Sequence, residues 1–275
     1  MNNTLCQKNN QLKIVVDSFN DEIKYSRCSF TTVSVLKGIE NFSFSDIKKS
    51  NLLTKKREEY INDCLDICAD NKIDIIDFNS FTGCNFNCYH CFLTDHKVYN
   101  KNINDTFFIL DKLKNNNIEL LCLDGRGEIF LVYDKLCDFL KSLKLSDFKK
   151  IFFITNGSLL DKEKIMNLKK ISDITGLKYI FNLSIDGITK ETYEATRIGG
   201  NFEKVINNLF LLKKFFDIKI TFTIKSTNIK DVPNVVNFFK SLGIKNDDLI
   251  IGRDFFEPKY IAIQKNLEEE KNGLC

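Results

Sequence analysis

From Ile73 onward, apolar segments of strand length alternate with segments of helical period, and this alternation limits the possible folds more than any other feature. The pattern predicts strands over 73–79, 118–123, 149–155, 178–185, 218–224 and 248–252. It predicts helices between them, near 104–116, 130–144, 160–171, 201–216 and 231–242. Alternating strands and helices form a parallel sheet with right-handed crossovers. We therefore predict an α/β fold, a partial (β/α)6 TIM-type barrel that stays open, with functional residues at the carboxyl ends of its strands.

Residues 1–72 follow a different pattern. Segments 12–16 and 23–25 predict two short strands around a turn at 20–21, and a charged helix is predicted near 45–70. The predicted organisation is a small N-terminal α+β module with cysteines over 1–72, a core domain over 73–255, and a C-terminal tail over 256–275.

Composition narrows the classes of partner and the compartment. The net charge of +3 on 275 residues gives no electrostatic case for nucleic acid or a membrane surface, and no apolar run approaches the length of a membrane span. Ten cysteines in C-x3-C and C-x2-C groupings are more typical of an intracellular metal protein than of a secreted disulfide scaffold. The first residues lack a basic segment followed by an apolar one, so no signal peptide is predicted. We expect a reducing cytoplasm.

Three cysteines, Cys84, Cys88 and Cys91, follow the first core strand with C-x3-C-x2-C spacing. Iron–sulfur cubanes are normally held by four thiolates, so three would leave one iron open for a substrate or cofactor. The same spacing also fits one face of a helix lined by buried free cysteines. Gly83 and Asn85 are poor helix formers, which favours a loop and hence the cluster.

The segment 81–91, F-T-G-C-N-F-N-C-Y-H-C, resembles the cluster-binding loop of the radical S-adenosylmethionine (radical SAM) enzymes. The resemblance implies that Cys84, Cys88 and Cys91 hold a 4Fe–4S cluster. It also implies that the open iron chelates the amino and carboxylate groups of the methionine moiety of S-adenosylmethionine. His90 stands where the family prefers an aromatic residue near the adenine, and the alternative is a solvent-facing loop histidine.

Two glycine-containing motifs follow the second and third core strands. Segment 123–128 is similar to the G-x-G-E form of the family's Gly-Gly-Glu motif, which implies that Gly125, Gly127 and Glu128 contact the methionine amino group. Ile129 stands where the family often has proline. Segment 154–157 resembles the family's T-N-G sequence and makes Asn156 a cofactor-binding candidate. Taken singly, each motif could be an ordinary turn.

Polar residues also follow the fourth core strand. Segment 183–187 resembles the place where the family turns a serine and an aspartate, here Ser184 and Asp186, toward the cofactor. A carboxylate can accept hydrogen bonds from ribose hydroxyls, although a strand end and turn would look the same. Segment 191–202 resembles SPASM-type radical SAM enzymes and makes Arg197 a candidate for the methionine carboxylate; a surface arginine is the alternative. The joint resemblance covers about residues 74–240.

Four further cysteines, Cys6, Cys28, Cys64 and Cys68, match the complement of a fully ligated cluster. Segment 37–68 resembles part of a SPASM or twitch module, which implies a possible second 4Fe–4S cluster. It departs from that pattern because a glycine is missing, the final pair is C-x3-C, and the segment precedes the core. The last pair also fits one buried helix face, and we leave both interpretations open.

The other three cysteines fall outside these two groups. Cys122 and Cys137 lie in apolar contexts and are predicted to be core residues. In a SPASM enzyme a cysteine near Cys275 would open the auxiliary domain, so we expect a truncated form.

The resemblance as a whole implies a radical SAM enzyme. Its cluster would reductively cleave S-adenosylmethionine to a 5′-deoxyadenosyl radical that abstracts hydrogen from a substrate. A peptide or protein substrate is favoured, as in peptide maturation, and a sugar, nucleotide or other small molecule is the alternative. A non-catalytic iron–sulfur protein for electron transfer or redox sensing is the third possibility. The expected partners are the substrate and a reductant such as flavodoxin or ferredoxin. No substrate-side catalytic residue stands out.

Overall fold

The computed structural model describes the backbone of residues 12–17, 22–28, 31–34, 73–79, 82–88, 90–91, 118–123, 126–253, 263, 266–267 and 269. The helices predicted near 45–70 and 104–116 lie outside the described residues, and so do Cys6, Cys64, Cys68, Gly125 and Cys275.

Three strands come from the N-terminal segment: β1 (Leu12–Asp17), β2 (Glu22–Cys28) and β3 (Thr31–Ser34). β1 pairs antiparallel with β2, as the two-strand pattern predicted, and β2 pairs antiparallel with β3.

Six strands form the core: β4 (Ile73–Asn79), β6 (Ile118–Leu123), β8 (Phe148–Thr155), β9 (Lys178–Ser184), β10 (Asp217–Ile224) and β11 (Leu249–Arg253). Between them in the chain, β5 (Thr82–Gly83) and β7 (Arg126–Gly127) form a small separate sheet. Each core strand pairs with its neighbour in parallel, for example Ile76 with Leu121 and Phe153 with Phe181. The predicted partial barrel of alternating strands and helices is confirmed.

The N-terminal and core strands belong to one main sheet. Its nine strands follow the order β11-β10-β9-β8-β6-β4-β1-β2-β3. β1 pairs in parallel with β4, with Asp17 opposite Asn79. The sheet therefore continues across the domain boundary predicted at residue 72.

The described helices lie between the core strands. They are α1 (Tyr133–Ser142), α2 (Lys162–Thr175), α3 (Lys190–Thr196), α4 (Phe202–Leu212) and α5 (Val235–Ser241). Short 3-10 turns over Ile129–Val132 and Ile229–Asn234 lead into α1 and α5. Four of the helices were predicted, and α3 was not. None of the helices in the described part of the chain is long and apolar enough to cross a membrane.

The core lies between the helices and the convex face of the sheet. Phe153 and Phe181 stack there with ring centroids 4.9 Å apart, and Cys137 belongs to the same cluster, as predicted. Along β10, every second residue from Ile218 to Ile224 is buried. The residues between them face the concave side, where the Thr221 hydroxyl donates to Asn182 Oδ1 at 3.0 Å. The concave face is of mixed character, because the half-buried Phe152, Ile154 and Ile180 also alternate onto it.

Candidate cluster and cofactor site

The cysteine loop begins on the small two-stranded sheet. Its strands β5 and β7 pair in parallel, and the Glu128 amide donates to the Gly83 carbonyl at 2.8 Å. A Cβ added at Gly127 would lie 2.1 Å from the Gly83 oxygen. Only glycine permits this approach, so the G-x-G-E motif sets where the cysteine loop starts.

The loop rests on its other side against the connection between α3 and α4. The Asn87 amide donates to the Ile198 carbonyl at 2.8 Å, and Phe86 is buried. A Cβ at Gly200 would lie 3.3 Å from Phe86 Cε2, and Gly199 adopts a left-handed φ of 91° beside the Asn85 carbonyl. The two glycines therefore let the connection pass close under the loop.

Residues 84–88 are not helical, in agreement with the loop prediction. Cys84, Cys88 and Cys91 are free thiols of intermediate exposure, and Cys84 Sγ accepts the Phe86 amide at 3.4 Å. Burial raises the pKa of Cys84 to about 11, and it also raises the pKa of Cys88, against the opposing charge of Arg197. Metal ions bind the thiolate form of cysteine, so assembly of a cluster here would displace the thiol protons.

Among the described residues, no three His, Cys, Asp or Glu side chains are placed to hold a single metal ion. A cubane takes one thiolate per iron, so its ligands need not converge on one ion. The donors present are three thiols, Cys84, Cys88 and Cys91, and this donor set fits an iron–sulfur cluster.

Glu128 is a buried carboxylate at the end of the G-x-G-E motif. Its Oε1 accepts the Thr155 hydroxyl at 2.6 Å and the Phe130 amide at 3.2 Å, and its Oε2 accepts the Asn156 amide at 2.7 Å. Burial raises its pKa, and these donors partly oppose the shift. Both oxygens are engaged within the protein, so the carboxylate ties β7 to the end of β8.

Asn156 connects the end of β8 to the cysteine loop. Its Nδ2 donates to Asn85 Oδ1 at 3.0 Å and lies 3.8 Å from Cys84 Sγ. Its Oδ1 accepts the Ser158 amide at 2.9 Å, and Asn85 Nδ2 donates in turn to the Ser158 hydroxyl at 2.9 Å. The side chain is thus held in one orientation, with its amide toward the cysteine.

Asp186 and Arg197 form a buried ion pair on the opposite side of the loop. Asp186 Oδ2 accepts Nη2 of Arg197 at 2.6 Å and Nε at 2.8 Å, and its Oδ1 accepts the Thr223 amide at 2.7 Å. Arg197 Nη1 lies 3.8 Å from Cys88 Sγ. Burial opposes the charge of Arg197, but Asp186 and Cys88 outweigh it and raise its pKa. A charged guanidinium therefore faces the second cysteine.

His90 and Ser184 complete the set of candidates that the structure describes. His90 Nε2 lies 3.5 Å from Asp186 Oδ2, at the inner edge of the loop. Ser184 ends β9, opposite Thr221 of β10, and is of intermediate exposure. The structure thus brings the described candidates to one rim of the barrel.

Two residues of this site were not singled out from the sequence. Asn85 was treated only as a poor helix former, yet it bonds to both Asn156 and Ser158. Tyr193 is fully buried beside Arg197, four residues before it on α3. The i, i+4 spacing of Tyr193 and Arg197 could have indicated that the two side chains are neighbours. It indicates this only if the segment is helical, and α3 was not predicted.

A half-barrel with a three-cysteine loop at the carboxyl ends of its strands defines a class of enzymes that bind an iron–sulfur cluster. The model of the radical SAM superfamily matches residues 78–239, more than half of the chain, and the chain belongs to that superfamily. Members of the family are enzymes that use a 4Fe–4S cluster and S-adenosylmethionine.

The relatives that the chain matches have names that state different activities. The chain is 29% identical over 172 residues to a probable GTP 3′,8-cyclase of Methanocaldococcus jannaschii, covering 58% of this chain and 53% of the relative. It is 26% identical over 209 residues to AlbA of Bacillus subtilis, an antilisterial bacteriocin subtilosin biosynthesis protein, covering 70% of this chain and 44% of AlbA. The chain thus spans about half the length of these relatives.

Among solved structures, Streptococcus suis SuiB bound to its precursor peptide SuiA matches with a TM-score of 0.56 and 17% identity. The match covers 73% of this chain and 46% of SuiB. At that identity the likeness shows a shared fold.

Proposed function

We propose that Cys84, Cys88 and Cys91 hold the 4Fe–4S cluster and that the surrounding rim binds S-adenosylmethionine. The observation that carries this proposal is the placement of Arg197 against Cys88 and of Asn156 against Cys84, at 3.8 Å each. A cation and an amide donor beside two thiols stabilise negative sulfur. The proposed cofactor-binding residues are His90, Gly125, Gly127, Glu128, Asn156, Ser184, Asp186 and Arg197.

The chain's own residues hold and orient the cofactors. When bound, the cluster and S-adenosylmethionine supply the radical chemistry. Asp186 fixes the Arg197 guanidinium through two donors, which leaves Nη1 free to face the cluster. Glu128 and Asn156 hold the loop at a fixed distance from β8, and the concave face behind them would receive the substrate.

A peptide is the substrate class we propose for this site. AlbA acts in the biosynthesis of a bacteriocin, and SuiB, which shares the fold, was crystallised with a precursor peptide. A nucleotide is the second candidate because the cyclase relative is named for GTP. The proposed electron donor to the cluster is a reductant such as flavodoxin or ferredoxin. The proposed location of the protein is a reducing cytoplasm.

The test is cleavage of S-adenosylmethionine by anaerobically reconstituted protein. The wild type should yield 5′-deoxyadenosine with dithionite as reductant. Replacement of Cys84, Cys88 and Cys91 together by Ala should abolish this product. The matched control is Cys137→Ala, which removes a buried core thiol on α1 and should leave the product yield unchanged. Product formation by the triple variant would overturn the assignment.

Residual iron in the triple variant tests the N-terminal cysteines. If Cys6, Cys28, Cys64 and Cys68 ligate a second cluster, the variant should keep about four irons and a 4Fe–4S signal. A triple variant without iron would exclude that cluster.

The substrate class is tested by adding GTP or a candidate precursor peptide to the wild type. Modification of the peptide, coupled to 5′-deoxyadenosine, supports the proposal. Conversion of GTP coupled to the same product would replace it with the nucleotide alternative.

A further inference from the structure

Asn182 presents an amide donor on the concave face of β9. Its neighbours Phe181 and Leu183 belong to the helix-side core, so Asn182 alternates onto the other face, where it is 5% exposed. The Thr221 hydroxyl donates to its Oδ1 at 3.0 Å, which leaves the Nδ2 end as a donor of two hydrogens. Within the described part of the chain, Nδ2 has no acceptor. A donor with so little access to water gains most from an acceptor on a ligand.

The side chains next to Asn182 on β8 and β9 are apolar. Phe152 and Ile154 of β8 and Ile180 of β9 are half-buried and alternate onto the same concave face. Ile154 is the register partner of Asn182, and Thr221 lies on the adjacent strand β10. A group held by the Asn182 amide would therefore contact hydrocarbon on one side and a hydroxyl on the other.

The charges on this part of the sheet are balanced. Every lysine of β8, β9 and β10 is paired with a carboxylate, and at the rim Arg197 is paired with Asp186. The lysine pairs are Lys149 and Lys150 with Glu119, Lys178 with Asp217, and Lys219 with Asp248, with N–O distances of 2.6–3.1 Å. A nucleoside triphosphate is strongly anionic and would meet a carboxylate beside each lysine. These strands therefore offer it no net positive surface and favour an uncharged ligand.

Asn182 also lies close to the proposed cofactor site. It precedes Ser184 by two residues on the same face of β9, and this spacing corresponds to about 7 Å along the strand. Ser184 is one of the proposed cofactor-binding residues at the rim. A substrate group bonded to Asn182 would therefore lie next to the cofactor, on the inner side of the barrel.

We infer that the concave face binds a peptide segment with an uncharged, apolar side chain, and that Asn182 Nδ2 donates a hydrogen bond to a backbone carbonyl of that segment. A peptide carbonyl is an uncharged acceptor, so it suits a donor that stands among apolar neighbours. The inference rests on the proposed function and narrows its peptide class to segments with an apolar residue at the reacting position.

The test is equilibrium dialysis with the full-length, anaerobically reconstituted protein and S-adenosylmethionine present. The probes are acetylated, amidated glycine pentapeptides with a central leucine, lysine or glutamate, and GTP. The leucine peptide should bind about tenfold more tightly than the other two peptides, because burying an unpaired charge among apolar groups is unfavourable. GTP should not displace the leucine peptide.

Asn182→Asp tests the role of the amide donor. The variant keeps an oxygen for the Thr221 hydroxyl but replaces the donor with a charged acceptor. The leucine peptide should bind about tenfold more weakly, as expected for the loss of one hydrogen bond. The lysine peptide should bind more tightly than to the wild type, because its ammonium gains a counter-charge, and a purely structural role of Asn182 would not produce this reversal.

Two further variants complete the experiment. Asn207→Asp makes the same substitution at an exposed position of α4 and should leave all affinities unchanged. Asn182→Ala removes the donor without adding a charge, and it should weaken the leucine peptide without strengthening the lysine peptide. Urea midpoints of all variants show whether each is folded, and Asn182→Ala carries the test if Asn182→Asp does not fold.

The outcomes separate this inference from the proposed function. Cleavage of S-adenosylmethionine by the wild type without peptide is measured first, and its absence means that the proposed function fails. If cleavage occurs but the three peptides bind equally or not at all, the inference is wrong and the function stands. The same holds if the folded Asn182 variants keep wild-type affinities. Displacement of the leucine peptide by GTP would assign the face to a nucleotide and would also overturn the inference.

Discussion

At the scale of single residues, Glu128 shows how a motif residue can act through the protein around it. The resemblance implied that its carboxylate contacts a methionine amino group. That contact stays a prediction, and within the protein both oxygens already accept hydrogen bonds from Thr155, Asn156 and Phe130. These bonds hold the second and third strand ends together beneath the cysteine loop.

Glu128→Gln is therefore expected to reduce stability. The amide oxygen can still accept from Thr155 and Phe130, but the new NH2 group would face the donating Asn156 amide. One buried donor left unsatisfied costs about 1–3 kcal/mol. Urea denaturation should show this loss in the free energy of unfolding. Glu163→Gln, at an exposed site in the first turn of α2, should leave it unchanged. An unchanged stability in Glu128→Gln would mean that the carboxylate does not tie the strands.

At the scale of elements, α3 positions Arg197, whose guanidinium faces the cysteine loop. It has seven residues, with Tyr193 inside it and Arg197 one turn further on, at its C-cap. So short a helix is not stable alone, and it begins with a capping box in which Thr189 and Thr192 bond reciprocally. The cap therefore helps to fix the position of Arg197 in the proposed cofactor site.

Thr189→Ala should weaken both stability and cofactor binding. Loss of an N-cap costs about 0.5–2 kcal/mol, measurable by urea denaturation. Because Arg197 ends the same short helix, the affinity for S-adenosylmethionine should fall several-fold in equilibrium binding. Asp161→Ala removes the N-cap of α2 and serves as the control. It should lose similar stability and keep the wild-type affinity. Equal affinities in the two variants would show that α3 is positioned by packing alone.

At the scale of the whole molecule, the N-terminal strands cover what would otherwise be an edge of the core sheet. β1 pairs with β4 in parallel over its whole length, and β2 and β3 continue the sheet. An exposed edge strand presents unpaired amide and carbonyl groups that recruit other chains. The first strands therefore protect the edge of the barrel.

Deletion of residues 1–34 should expose β4 and promote association. We expect oligomers or aggregates in size-exclusion chromatography and a lower urea midpoint than that of the full chain. Replacing Cys6 and Cys28 by Ser keeps the strands and controls for the two thiols that the deletion removes. A monomeric deletion variant with an unchanged midpoint would show that the core is stable without this cover.

The local pattern of apolar residues was sufficient to predict the strands of the core and most of its described helices. The periods of apolar residues predicted each described core strand to within one residue, because burial on a sheet or helix face imposes its period directly on the chain. The pattern missed α3, because its sequence K-E-T-Y-E-A-T holds one large apolar side chain and therefore shows no apolar stripe, whereas the equally short α5 carries several. It also did not show that β1 would join β4, because parallel pairing between distant segments leaves no local periodicity.

The barrel class and the cysteine loop could be inferred from the chain alone, since strand period and ligand spacing are properties of neighbouring residues. Which polar groups meet in the site could be learned only from the folded chain. Asp186 pairs with Arg197, Glu128 with Thr155, and Asn156 with Asn85, all across different loops and strand ends. These contacts depend on strand register, on the curvature of the sheet and on glycines that allow close backbone approach. None of these is set by residues adjacent in the chain, so the site's geometry emerges only when the sheet forms.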